Sequence, residues 1–323
     1  MKIIGHYHQR ESLARLCRAG KIPSSLMFAG TEGVGKQLVA RALAKSLIAN
    51  DFSDLLESKE NSDNQNSILL DSGNHPDFYF VDCASKDFNI EALRDLLYRL
   101  HLKTYIANAR VIVLNDANFL SNQAANALLK TLEEPRPGTF FILICTNPAI
   151  MPSTIRSRCQ LWFFDRLKES EVISILKNQD SQSDLSIEEK AKIADGAMKN
   201  LSELEKHLPI WPEIKERLLN IAQGDTFEAH TFAETLSKDK ESLKEKLHLI
   251  RMLARQEMHE SRQKIEKRRW AYFLNNTIEI EYLIFQRNFN ATYILASVFS
   301  ALSNSIDKNL QNEFCQISEV VTI

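Results

Sequence analysis

The sequence predicts an α/β core built on a parallel sheet, then a small helical lid, then an all-α C-terminal domain. Three observations predict it. The stretch GTEGVGKQ (30–37) joins an apolar strand to a helix through closely spaced glycines. Apolar strand segments alternate with helical ones up to about residue 165, which implies crossover connections and a parallel sheet covered on both faces. Beyond Arg166 strand signals nearly vanish and amphipathic helical stretches dominate. The expected domains are 1–165, 166–208 and 209–323, with Pro209 and Pro212 marking the last junction.

Each element has its own warrant. SLMFAG (25–30) is a short apolar strand running into the glycines, and KQLVARALAKSLIAN (36–50) places Val39, Ala42, Leu43 and Leu47 on one helical face. DFSDLLESKENSDNQN (51–66) is polar and acidic, and reads as a surface loop or an extended helix end. FYFVD (78–82) is a second strand. In IEALRDLLYRLHL (90–102), Ile90, Leu93, Leu97 and Leu100 fall in register, with Asp87 or Asn89 placed to cap the helix. RVIVL (110–114) is apolar throughout, as a strand buried on both faces should be. SNQAANALLKTLEEP (121–135) is a helix with Ser121 as cap and Pro135 as stop. TFFILIC (139–145) and QLWFF (160–164) are further strands, while KESEVISILKNQ (168–179) and SIEEKAKIADGAMKNLSELEKHL (186–208) make the helical lid.

Composition excludes several classes. Of 323 residues, 44% are hydrophobic and 25% charged, ordinary values for a protein with real cores. A net charge of -2 argues against a chain-wide electrostatic nucleic-acid binder. No apolar run reaches the roughly 18–20 residues of a membrane span, and the first residues lack the apolar centre of a signal peptide. Cys17, Cys83, Cys145, Cys159 and Cys315 are scattered, with no C-x-x-C. Reduced cysteines in a cytoplasmic protein are expected, and no metal site.

The chemistry concentrates in the glycine-rich turn. Gly30, Gly33, Gly35 and Lys36 match the phosphate-binding pattern G-x-x-x-x-G-K-[ST], but Gln37 stands where a hydroxyl should hold magnesium. Backbone N–H groups and the helix start favour phosphate there, and Lys36 can reach the outer phosphates. The strand RVIVL ends in Asn115-Asp116 rather than an acidic pair. Asn115 keeps an oxygen without the charge, and strand alternation points Asp116 to the other face. Two substitutions therefore weaken one metal site, and phosphoryl transfer depends on metal and positioning. ATP or ADP is expected to bind weakly and not to be turned over at a useful rate. In STIRSRCQ (153–160), Arg158 is either a surface arginine in an ion pair or a finger offered to a neighbour's ATP.

HPD (75–77), NQAANALLKTLEEPRPGTFFILICTNP (122–148) and STIRSRC (153–159), in that order, resemble the clamp-loader branch of the AAA+ family of P-loop ATPases. The resemblance covers the first half of the chain; the second half fits in length and helical character. It implies a subunit of a ring, within a DNA polymerase holoenzyme, that loads a sliding clamp on primed DNA in replication. Some ring members hydrolyse ATP, and a rigid non-hydrolysing member lends an arginine in trans, which here is Arg158. The resemblance places a first sensor at Thr146 or Asn147 and a second at Lys199. It makes residues 209–323 an oligomerising collar. Relatives often carry a four-cysteine zinc module before HPD; residues 51–74 have no cysteine, so no zinc is expected.

Two other readings stay open. The kept glycines and Lys36 suit an ATP-hydrolysing motor subunit of the same ring. A stand-alone nucleic-acid scaffold would draw on residues 238–269, with 11 Lys or Arg against 6 Asp or Glu. A solvated helix face is the plainer account of that stretch.

Overall fold

The computed structural model describes residues 3–51, 53–56, 68–70, 72–85, 88–100, 109–178, 186–201, 209–287 and 289–303. The chain divides into two compact units, Met1–Lys199 and Asn200–Ile323.

The first unit is organised by a five-stranded sheet of β1 (Ser25–Ala29), β2 (Phe78–Asp82), β3 (Arg110–Asn115), β4 (Thr139–Cys145) and β5 (Gln160–Phe163). Its order is β2-β3-β4-β1-β5, and every pairing is parallel. All five residues of β1 are buried, because β4 and β5 flank it and helices cover both faces. Alternation then assigns the two cores. Leu26 and Phe28 join Val111, Val113, Ile142 and Ile144 on one face, beneath α1 (Tyr7–Arg18) and α2 (Lys36–Ala49). Met27 and Ala29 join Ile112, Leu114, Leu143 and Cys145 on the other, beneath the helices Ile90–Arg99 and Asn122–Glu133.

The expected caps are present. Asn89 accepts from the Ala92 N–H at 2.8 Å and Ser121 from the Ala124 N–H at 3.2 Å; Asp87, the alternative cap, lies outside the described residues. The helix Asn122–Glu133 stops two residues before Pro135, since a residue preceding proline avoids helical backbone. Within 51–66, Ser53–Leu56 forms one helical turn with Leu55 fully buried, and residues 57–66 lie outside the described residues.

HPD acquires a structural explanation. Asp77 pairs with Arg110 at 3.5 Å, both essentially buried. The Asp77 N–H donates to His75 Nδ1, and the Asp77 carbonyl accepts from the Val111 N–H at 2.9 Å. The motif thus fixes the entry of β2 against the start of β3.

Among the described residues of the second unit, helices span Trp211–Ala222, Thr226–Lys238, Lys240–Glu260, Lys264–Arg287 and Ala291–Ser303. Phe299 stacks on Phe232 at 5.2 Å and on Phe273 at 6.0 Å, and Arg217 lies over the Phe232 ring at 4.7 Å. Three cations of the basic stretch are used internally. Lys246 pairs with Asp239 at 3.0 Å, while Arg251 and Arg269 donate to the carbonyls of Thr277 and Ala222. No helix among the described residues is long and apolar enough to cross a membrane.

Removing one member of a buried ion pair strands the other. Asp77→Ala is expected to destabilise by about 3–5 kcal/mol, measured by urea unfolding, with partial recovery in Asp77→Ala/Arg110→Met. The thiols of Cys17, Cys83, Cys145 and Cys159 are unpaired. Burial pushes Cys17 and Cys145 up to about 11 and Cys83 and Cys159 up to about 12. In the native chain at neutral pH these four should react with a thiol reagent far more slowly than after unfolding.

Candidate functional site

The loop between β1 and α2 sits where the strand order places an opening. From β1 the chain runs to the far edge of the sheet, and β4 returns across β1 to β5, so the carboxyl end of β1 is a switch point where ligands bind. A cleft of about 280 Å³ opens there, lined by Glu32, Gly33, Gly35, Lys36, Gln37, Leu38, Asn115, Asp116, Ile144 and Lys199.

The loop is held from several sides. Gly33 adopts a φ of +82, and a Cβ there would lie 2.5 Å from the Lys199 Cβ. Its carbonyl accepts from the Met198 N–H at 3.0 Å. That approach depends on Gly196, whose φ is +71 and whose Cβ would strike the Leu167 carbonyl at 2.4 Å. Arg166 clamps the same turn by donating to the Asp195 carboxylate at 2.9 Å and carbonyl at 2.7 Å. On another side, the His6 ring lies 2.7 Å from the Val34 carbonyl through Nε2 and packs edge-on against Phe164.

Lys36 is 5% exposed, and its ammonium turns back to donate to the carbonyls of Gly30 at 2.6 Å and Thr31 at 2.8 Å. Burial lowers its pKa, with Cys145, Asp116 and Glu32 opposing. Across the cleft, Lys199 pairs with Glu32. Gln37 is exposed at the rim.

The structure corrects one step of the sequence argument. β3 ends at Asn115, and Asp116 takes a left-handed backbone with φ 50. Alternation therefore stops at Asn115, and both residues line the cleft. Asn115 Nδ2 donates to Asp116 Oδ2 at 3.0 Å. Burial raises the Asp116 pKa, helped by Glu32 and Asp82 and opposed by Lys199 and Lys36. The donor set fits a phosphate: backbone N–H groups at a helix start with two lysines nearby. It does not fit magnesium well, because Gln37 and Asn115 are neutral amides. Among the described residues, no group of three or more His, Cys, Asp or Glu is gathered to hold a metal.

Other sequence candidates lie outside the cleft lining. The Thr146 N–H donates to the Asn118 side-chain oxygen at 3.4 Å. Asn147 caps the turn Pro148–Ile150 by accepting from the Ala149 N–H at 2.9 Å. Arg158 follows the short helix Ser153–Arg156 and precedes β5. Its guanidinium donates to the Thr154 carbonyl at 3.0 Å and to Glu133 Oε2 at 3.2 Å. β5 is parallel to β1, so Arg158, just before β5 begins, stands at the amino end of the sheet. The loop at 30–36 stands at the carboxyl end, about 16 Å away for a five-residue strand. Sequence reasoning missed His6 and Glu32. Glu32 occupies a position the phosphate-loop pattern leaves unspecified, and nothing local marks His6.

Comparison with known proteins identifies the family. A family model described as DNA polymerase III, delta subunit, matches residues 5–168. The tau/gamma subunit of Haemophilus influenzae DNA polymerase III is 30% identical over 203 residues, 61% of this chain and 29% of the relative. The delta' subunit of Escherichia coli (strain K12) is 29% identical over 175 residues, 54% of this chain and 52% of the relative. The chain thus spans less than two thirds of the length of either. A solved gamma subunit-related protein from Thermotoga maritima is 18% identical, with a TM-score of 0.44, covering 92% of this chain and 99% of that one. The resemblance read from HPD, the 122–148 block and SRC is upheld. The model match takes in just over half of the chain, which therefore belongs to the family of DNA polymerase III delta subunits, with tau/gamma and delta' subunits among its relatives.

Proposed function

We propose that this chain is a non-hydrolysing subunit of a DNA polymerase III clamp loader, of the delta-prime kind, and that Arg158 serves the ATP of a neighbouring subunit. The observation that carries the reading is the separation of Arg158 from its own phosphate loop by the length of β1. An arginine fixed at the amino end of the sheet cannot reach a nucleotide at the carboxyl end of the same sheet. It is available to a nucleotide on another chain. The Glu133 contact is a half-exposed ion pair, and such pairs contribute at most about 1 kcal/mol. A triphosphate can therefore replace Glu133 as partner, meeting a planar cation that binds two oxygens at once.

The chain's own cleft supports the other half of the proposal. Gly33, Gly35 and Lys36 would hold the phosphates of ATP or ADP weakly, since the Lys36 ammonium must leave two carbonyls to meet them. When bound, nucleotide would supply only charge and packing between the loop and the 196–199 turn. Neither Gln37 nor Asn115 offers charge to a catalytic cation. Lys199 lies at the cleft and suits the second-sensor role; Thr146 borders the region from the end of β4, and Asn147 is committed to its cap. Residues 1–165, 166–208 and 209–323 would act as core, lid and collar. The partners are gamma/tau and delta subunits in a hetero-oligomeric ring, the sliding clamp and, through the assembled complex, primed DNA, in the cytoplasm.

A second reading has an observation behind it. The loop glycines, Lys36 and the switch-point cleft are kept, and a tau/gamma relative matches as well as a delta' one. An ATP-hydrolysing motor subunit of the gamma/tau type would show steady phosphate release from the purified chain, abolished by Lys36→Ala.

Two outcomes are expected. The purified chain should release phosphate from ATP no faster than its Lys36→Ala variant. In a reconstituted complex with gamma/tau and delta subunits, Arg158→Ala should lower DNA-stimulated ATPase by about tenfold or more per affected site, with assembly checked by size-exclusion chromatography. Unchanged turnover in an intact Arg158→Ala complex rules the proposal out.

A further inference from the structure

The cleft holds an anion of its own. Glu32 stands on the phosphate loop and Lys199 in the helical segment 198–201, and their side chains, both lining the cleft, form an ion pair. Backbone contact brings the two together. The Met198 N–H donates to the Gly33 carbonyl, and Gly33 has no room for a Cβ against Lys199. Neither position is fixed by the phosphate-loop pattern, and Lys36 and His6 brace the loop by contacts of their own.

We infer that Glu32 is an internal competitor for phosphate: its carboxylate occupies Lys199 in the ligand-free chain, so a nucleotide's phosphates enter by displacing it. The inference rests on reading the cleft as a phosphate site and is independent of the role of Arg158. Three physical points carry it. Both side chains are about half exposed, so the bridge is weak and exchangeable. An ammonium is a compact charge that changes partners without a fixed geometry. Asp116 lies in the same cleft, so a polyphosphate meets two carboxylates, and the penalty grows with ligand charge. Glu32 thus biases the cleft against the more highly charged nucleotide and holds the 196–199 turn on the loop without one.

The test is titration calorimetry of ADP and ATP on the full chain, in wild type, Glu32→Gln, Lys199→Ala, the double variant and Lys36→Ala, with melting curves to confirm folding. Glu32→Gln is expected to tighten ATP binding by about fivefold, the scale of one exposed ion pair, and ADP binding by less. The gain should shrink when Lys199 is alanine. Affinity that is unchanged or weaker in Glu32→Gln overturns the inference, as does an equal gain with and without Lys199, or no binding by Glu32→Gln. Binding that survives Lys36→Ala overturns the reading of the cleft and the inference with it. Binding that needs Lys36 but ignores Glu32→Gln overturns the inference alone.

Discussion

The parallel pairing of β1 with β4 on one side and β5 on the other is the constraint from which the functional geometry follows. A strand buried on both faces and flanked on both edges cannot shift register without exposing apolar side chains. Its carboxyl end therefore delivers the glycine loop to a fixed place. The same pairing fixes the segment that leaves β4 and returns to start β5. That segment has to travel the length of the sheet backwards, and Arg158 lies at its far end. One packing arrangement thus sets two chemically useful groups on opposite ends of one sheet.

This separation gives the proposed division of labour a physical basis. An arginine at the opposite end of the sheet from its own glycine loop would, on the proposed reading, serve an adjacent copy of the fold. The cleft, meanwhile, is satisfied by protein groups. Lys36 answers loop carbonyls, Lys199 answers Glu32, and Asn115 answers Asp116. Each of these cleft side chains therefore has a protein partner that an incoming ligand would have to replace. The second unit is organised differently. A stacked Phe232–Phe299–Phe273 cluster sits at its centre, and several cations of its basic stretch are engaged internally rather than offered to a polyanion.

Much of the first unit was legible in the sequence. Strands such as RVIVL and TFFILIC are apolar without interruption and bounded by turn residues, so period and length settle them. Asn89 and Ser121 were legible as caps because their side-chain chemistry marks helix starts. Other features were not. Whether Asp116 faces the cleft depends on one left-handed residue, which turns it back after the strand ends. The ion pair of Glu32 with Lys199 joins residues 167 positions apart, and no local pattern encodes it. α1 went unread because its buried residues include Arg10, whose guanidinium donates to the carbonyls of Ile3 and Leu55. A buried arginine on an apolar face disguises the amphipathic period. HPD was visible as a signature, but its role in seating Arg110 is a tertiary fact.

The claim that this chain lends charge to a neighbour while doing no chemistry in its own cleft is tested most directly by separating the two sites. A complex assembled with the Lys36→Ala chain keeps Arg158 and disables the cleft. Its DNA-stimulated ATP hydrolysis, measured by phosphate release, is expected to match that of the wild-type complex. A fall as large as that caused by losing Arg158 would contradict the account, because it would place catalysis in this chain's own cleft.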